Sequence, residues 1–578
     1  MTVILGKAFS GVNLLKAHKL IFITNLIITL CILALYIPDI YTHIELGLNR
    51  YVFTDDVSQQ IWPFYGYRLN RYIADDYIAR YYLACFPFGY KLLYIASAFI
   101  FDPVSLSKAL PYLLLIITAV FVALSVYKYT DFLSALFSVA LLLSASIFME
   151  RMAGGLPRAF AFPLSAFLLY AVISDKRFTL LCAVTLLAAL FYPPIAVLSG
   201  TLIAVLAVLP QSFIKHEIKL ASRIRYVFFT GILTVTFLMP VYLGASAYGP
   251  TIKSSDTTNY PELGPGGRYG PEDRPPWPAL RETIRTNSSV LFSSSRLSVF
   301  KKTKEFLKDN HLYCKSYRFL AILVLMAGLI TALVSPKLRA IPFLFLVTAA
   351  IYRLSVEVSP YLYLPQRYTR YTLPVLTLFF LSVLPYLALN KFMPSKSSLK
   401  YFLNATVLLF IYLLYGSNFH SAAGYNIRVS EPDTKLTTFI ESLPEKSLVA
   451  GWPLGVTNYI PYLSKRAVLT SHETYQVFHA GYVSTMRTRT YALLKALCSR
   501  SEESIKNLQE NFGVTHLVLD RAVLSVKKPP KYIKPYNKLI RKYFKPLRNQ
   551  ELNSLSAMGF KIIYDDGRYL VLRLSAAT

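Results

Sequence analysis

Residues 110–127 read LPYLLLIITAVFVALSVY, eighteen residues without an Asp, Glu, Lys or Arg. As a helix, such a run is about 27 Å long at 1.5 Å per residue, close to the roughly 30 Å of a bilayer's hydrocarbon core. Outward from it, comparable runs recur at 20–37, 132–149, 160–174, 178–191, 195–209, 226–243, 317–334, 340–352, 371–389 and 401–416, giving about eleven spans. The composition agrees with this reading. Of 578 residues, 54% are hydrophobic and only 16% charged, with a mean hydropathy of +0.43; soluble domains carry about 25% charged residues. A soluble globular protein, a disordered chain, a collagen and a disulfide scaffold are excluded. The predicted fold class is an α-helical polytopic membrane protein with a C-terminal α/β soluble domain. Residues 1–416 form the transmembrane domain and 417–578 the soluble one.

Charge in the loops orients the chain. With the N-terminus inside, the inner segments hold 15 Lys/Arg in 58 residues, whereas the outer loop 38–109 holds six in 72. The positive-inside rule then sets the N-terminus in the cytoplasm and the C-terminal domain outside a cell's inner membrane. The first apolar run follows Lys16 and Lys19, but no small-residue cleavage site comes after it, so it reads as a retained helix. The net charge of +30 would point to nucleic acid in a soluble protein; here it points to lipid headgroups and phosphorylated substrates, and no nucleic-acid partner is expected. The five cysteines lie far apart, with no C-x-x-C or Cys/His cluster for metal or redox chemistry.

Two long outer loops stand out. In loop 38–109, Ile61, Phe64, Tyr65, Leu69, Tyr72 and Ile73 recur at helical spacing with Arg68 and Arg71 between them, which suits a helix lying in the membrane interface. Residues 92–101 are apolar but too short to span, and read as a re-entrant or interfacial helix ending at Asp102-Pro103. Loop 244–316, with Gly264-Pro265-Gly266-Gly267 and the prolines of 271–278, should be irregular, either a binding loop or a connector. The tail reads as strands at 447–451, 466–470, 515–520, 560–564 and 569–574, with helices at 433–442, 485–498 and 502–511.

The sharpest chemical feature is Phe53-Thr54-Asp55-Asp56-Val57-Ser58-Gln59-Gln60, just beyond the first span. A carboxylate pair at a membrane face can serve as general base or hold a divalent cation. Alternatively Asp55 or Asp56 caps the following helix, with Asp56 and Gln59 as a capping box. Glu150-Arg151-Met152-Ala153-Gly154-Gly155-Leu156-Pro157-Arg158 forms a charged outer turn between spans. There Arg158 could grip a phosphate with its planar fork, and Glu150 could bind a cation or pair with Arg151; the bland reading is headgroup anchoring. Arg367 and Arg370, in Gln366-Arg367-Tyr368-Thr369-Arg370-Tyr371, share a helix face where a late span begins. They could clamp a phosphate or belong to an ordinary interface belt. Asp75-Asp76 reads as a solvated turn. Lys527 to Lys545 reads as a solvated basic loop or a lipid-docking one, and Ser471-His472-Glu473 as structural.

These parts together resemble the GT-C class of integral-membrane glycosyltransferases. The shared pattern is one span, a large outer loop bearing Asp55-Asp56, then Phe86-Pro87-Phe88-Gly89-Tyr90, Asp102-Pro103 and a second span. The outer Gly154-Gly155-Leu156-Pro157-Arg158 turn, the Tyr192-Pro193-Pro194 hairpin, the Arg370-Tyr371 pair and the tail complete it. The chain has no D-x-D in its second outer loop and no Trp-Trp-Asp-x-Gly in its tail, both oligosaccharyltransferase signatures.

The resemblance implies a GT-C-like membrane domain and a sugar donor linked to polyprenyl phosphate or pyrophosphate. It implies transfer to a glycan, lipid or protein acceptor at the extracytoplasmic face, with inversion. Asp56, or Asp55, would take the acceptor's proton or hold a metal, and Arg158, Arg367 and Arg370 would bind the donor phosphate. A divalent cation, Mg or Mn, would be held by Glu150 with Asp55 or Asp56. Two other readings compete: a lipid-linked glycan flippase or transporter, which would place polar residues inside several spans, and a membrane-anchored assembly protein acting through its tail.

Overall fold

In the computed structural model the described residues are 36–69, 76–210, 218–253, 255–269, 312–359, 364–392, 423–548 and 558–574, with isolated positions between them. The expected span 401–416 and half the residues of 20–37 lie outside them. The other expected spans are helical. By length and composition, four of these helices can cross a membrane unaided: Pro103–Tyr127, Leu220–Ser246, Ala340–Glu357 and Gln366–Ala388. Three shorter apolar helices, at Pro157–Ile173, Arg177–Phe191 and Pro193–Val208, and the Leu312–Val334 helix pack among them. The molecule is a multi-pass, mostly helical membrane protein, and the count of eleven crossings stays an expectation.

Local chemistry accounts for the helix boundaries. Asp102 caps the Pro103–Tyr127 helix by accepting from Val104 N–H at 3.1 Å and Ser105 N–H at 3.3 Å, and Pro103 supplies the pre-set first residue. Asp131 caps the Phe132–Ser144 helix through Ser134 N–H at 2.8 Å. The paired prolines after Tyr192 end one helix and begin the next, as the sequence suggests, and Thr185 Oγ donates across the hairpin to Ser199 Oγ at 2.9 Å.

The expected span 132–149 is not straight. It bends by 63° between Phe132–Ser144 and Ser146–Met152. The break falls where Ser144 Oγ bonds back to the Ala140 carbonyl at 2.9 Å and also meets the Tyr36 hydroxyl at 2.6 Å.

The first outer loop departs from the interfacial-helix expectation. Arg71, Tyr72 and Ile73 lie outside the described residues; the stretch before them forms two short helices, Val57–Gln60 and Tyr65–Leu69, separated by a 3₁₀ turn at Trp62-Pro63-Phe64. Ile61 and Phe64 are completely buried, with Phe64 stacked on Tyr94 at 4.8 Å and on Phe86 at 5.6 Å. The amphipathic face thus meets aromatic protein rather than lipid. Asp75 lies outside the described residues. Asp76 is a cap, not a solvated turn residue: it accepts from Ile78 and Ala79 N–H and from Trp62 Nε1 at 2.8 Å.

The tail carries a five-stranded sheet in the order β4–β3–β5–β7–β6: β3 Leu448–Ala450, β4 Ala467–Val468, β5 His516–Asp520, β6 Lys561–Asp565 and β7 Tyr569–Arg573. β3 lies parallel to β4 and β5, and β7 antiparallel to β5 and β6. Backbone pairings help stitch the tail to the membrane part. β1 (Val52–Phe53) pairs antiparallel with β2 (Ile427–Arg428). Thr251 of the second outer loop bridges His479. The described part of that loop is irregular but anchored: Glu262, wholly buried, accepts from Arg487 at 2.6 Å and from the Tyr475 hydroxyl at 2.9 Å.

Candidate active site

The β1–β2 pair delivers the acidic turn. Immediately after Phe53, Asp55 N–H donates to Asn426 Oδ1 at 3.0 Å, so a tail residue fixes the loop's backbone. The two aspartates then divide. Asp55 Oδ1 accepts from Asp56 N–H at 2.8 Å and from Thr54 Oγ at 3.2 Å, closing the turn. Asp56 occupies the N-cap position of Val57–Gln60 but makes no capping bond. Its carboxylate instead pairs with Arg158. No capping box forms, since Gln59 accepts from the Tyr82 hydroxyl and from Gln476 Nε2, the latter at 3.3 Å.

Glycines allow this meeting. Gly154 and Gly155 adopt φ of +86° and +59°, conformations that disfavour side chains. A Cβ on Gly154 would overlap the side chains of Val57 and Thr54, so the turn before Arg158 lies directly on the aspartate turn. Tyr94 donates to the Gly155 carbonyl at 2.9 Å and holds it there.

Arg158 extends the site toward the late span. Arg367 Nη1 donates to the Tyr371 hydroxyl at 3.0 Å, and Tyr371 is fully buried, edge-on to Phe162 and Tyr192. Four guanidiniums, Arg151, Arg158, Arg367 and Arg370, act electrostatically on that tyrosine. Asp56 is within the field of Arg158, Arg367 and, from the second outer loop, Arg268. The fold therefore gathers Asp56, Arg158, Arg367 and Arg370 from three distant sequence segments. Burial opposes ionisation of Asp56, but the neighbouring Arg158 outweighs it and holds the carboxyl below its ordinary value. Side-chain exposures of 29% for Asp56 and 16% for Arg158 leave the pair reachable by a ligand.

A second carboxylate comes from the tail. Glu473 pairs with Arg268 at 2.9 Å and accepts from Gln59 Nε2 at 3.4 Å. Burial disfavours its ionised form and lifts its pKa above the ordinary range against the pull of Arg268, and Asp56 and Asp55 add repulsion. Two carboxyls in one site are thus pushed in opposite directions, the pattern expected of groups with different proton roles. Read from the sequence as structural together with Ser471 and His472, Glu473 enters the site because Gln59, Arg268 and Glu473 meet only in three dimensions.

Glu150 does not join this group. It is exposed and accepts from Ser146 Oγ one turn back at 3.1 Å. Among the described residues no three His, Cys, Asp or Glu side chains are arranged to hold a metal ion. With Asp56 engaged by Arg158 and Asp55 by its own turn, the donor set does not fit a divalent cation.

No protein-family model and no curated protein matches the chain. Similar solved structures include the Archaeoglobus fulgidus oligosaccharyltransferase in complex with zinc and sulfate. That match has a TM-score of 0.47 and 11% identity, covering 90% of this chain and 69% of that one. They also include ArnT from Cupriavidus metallidurans, in the apo state (TM-score 0.39, 12% identity, 94% of this chain and 97% of that one) and bound to undecaprenyl phosphate (TM-score 0.38, 11% identity, 93% and 97%).

Proposed function

We propose that the chain is a membrane glycosyltransferase that moves a sugar from a polyprenyl-phosphate or polyprenyl-pyrophosphate donor to an acceptor hydroxyl or amide at the extracytoplasmic membrane face. One observation carries this reading: a reachable carboxylate, Asp56, stands against a cluster of arginines at the ends of membrane-spanning helices. An isoprenoid donor keeps its chain in lipid and its phosphate at the boundary, where Arg158, Arg367 and Arg370 supply bidentate cationic donors. The acceptor is a glycan, a lipid or a protein, and the membrane is the cell's inner membrane, with the N-terminus inside.

Chemically, the acceptor's oxygen or nitrogen forms a bond to the anomeric carbon while the bond from that carbon to the phosphate oxygen breaks. The departing phosphate keeps the electron pair and is stabilised by the arginines. The acceptor's proton passes to the Asp56 carboxylate, and attack opposite the leaving group inverts the anomeric centre. Before substrate binds, Arg158 neutralises Asp56. Donor phosphate competes for that guanidinium, so binding frees the carboxylate as a base. No step needs a metal.

The test is sugar transfer by the purified chain from a radiolabelled polyprenyl-phosphate donor. Asp56→Asn should reduce transfer by about 10²–10⁴-fold, the usual weight of a positioned base, while membrane insertion is kept. Full transfer by Asp56→Asn would overturn the assignment.

A further inference from the structure

A cavity of about 560 Å³ opens away from the arginine cluster, between the Ile37–Leu48 helix, the first turns of the Pro103–Tyr127 span and the Ile460–Ser464 helix of the tail. It shares no lining residue with Asp56, Arg158, Arg367 or Arg370. Its volume falls in the range of small-molecule sites, about 300–1,000 Å³.

Three cations line it, Arg50, Lys108 and Lys465, against one carboxylate, Asp102. Asp102 is committed to capping the span. Arg50 and Lys465 share Glu441 at the rim, at 2.6 and 3.3 Å. Lys108 is different. It is nine-tenths buried, has no acidic partner among the described residues, and its ammonium has one hydrogen bond, to the Asn49 carbonyl at 2.5 Å. Two of its three donors therefore remain for a ligand. Tyr462, itself buried, lines the same cavity, with its hydroxyl against Ser107. A buried cation in this state is costly unless an anion joins it.

The cavity's mouth continues into lipid-facing surface. From Ala109, which lines it, the same helix face runs on through Leu113, Ile116, Val120 and Leu124, each between 41% and 61% exposed. Steps of three and four residues keep these on one stripe. The cations thus sit at the head of an apolar track whose length suits an acyl or isoprenoid chain.

The geometry points to a second lipid site, for a phosphate-headed lipid whose phosphate meets Lys108 inside the cavity and whose chain lies along the Ala109–Leu124 stripe. The same chemistry fits an anionic phospholipid or a polyprenyl phosphate. The site goes beyond the proposed transfer reaction and does not depend on it.

Native mass spectrometry of the full-length chain in neutral detergent tests this, with phosphatidylglycerol, farnesyl phosphate, phosphatidylcholine and inorganic phosphate as probes. Two variants report on the cavity. Lys108→Gln removes the buried charge. Ser105→Glu places a carboxylate at the mouth from an exposed third helical position, where glutamate suits the span's first turn. Phosphatidylglycerol or farnesyl phosphate, whichever is the native class, should bind at least tenfold more tightly than phosphatidylcholine. Both variants should lose that preference, whereas Arg158→Ala should keep it. Binding of phosphatidylglycerol alone identifies a structural phospholipid; binding of farnesyl phosphate that survives Arg158→Ala identifies a second carrier site. Equal binding of phosphatidylcholine, an unaltered preference in Ser105→Glu, or inorganic phosphate binding as tightly as either lipid would overturn the site.

Discussion

Asp56 stands where a helix cap belongs and leaves the helix uncapped, and its neighbour Asp55 does the local hydrogen bonding instead. That division turns an ambiguous acidic pair into one structural and one chemical residue. Its electrostatic consequence can be measured. Arg158 holds Asp56 below its ordinary value against the effect of burial, so the pair's contribution to stability is present above about pH 4, the ordinary aspartate value, and fades as pH falls through the depressed one. In Arg158→Ala only burial and the more distant arginines remain. The acidic limb of the kcat/KM profile should then move to higher pH. A limb that stays put in Arg158→Ala but moves in Glu473→Gln would give the proton to Glu473. Gly154→Ala tests the steric side: the left-handed backbone and the overlap with Val57 and Thr54 should cost about 1–3 kcal/mol, read as a lowered Tm, with a larger loss of transfer.

At the scale of elements, hydropathy made the membrane helices legible, and charge at their ends singled out Asp56, Arg158, Arg367 and Arg370. What it could not specify is what covers an amphipathic face. Ile61 and Phe64 have the spacing of an interfacial helix, yet their cover is Phe86 and Tyr94 rather than lipid; a pattern of apolar residues reads the same for both. The 63° bend was hidden for a similar reason, since the hydrogen bond from Ser144 to Tyr36 at the break joins residues far apart in the chain. Arg268 does not stand out locally, and Glu473 reads as structural beside Ser471 and His472, because their pairing exists only in three dimensions. The β1–β2 pair is the element that joins the two parts of the site. Ile427→Pro, which removes a ladder N–H donor beside Phe53, should abolish most transfer and leave the five-stranded sheet folded, checked by limited proteolysis of the tail.

Across the whole molecule, many contacts clamp the tail to the membrane part, among them β1–β2, the Thr251–His479 bridge and the Glu262–Arg487 ion pair. The last is the most exposed to mutation in energetic terms. Glu262 is wholly buried while Arg487 keeps a third of its surface in water, so Glu262→Gln should cost about 3 kcal/mol, the low end for breaking a buried pair. Differential scanning calorimetry should find the tail's transition lowered while the helical bundle's transition is kept. The β1–β2 clamp has a consequence for how a shortened protein would behave. A chain ending near residue 416 could still be inserted by the cell's translocation machinery, but the backbone ahead of Asp55 would have lost the strand and the asparagine it rests on. Such a fragment would look healthy in a membrane fraction and be chemically mute, and adding the missing piece as a separate polypeptide should restore its voice only if that piece begins early enough to include Asn426.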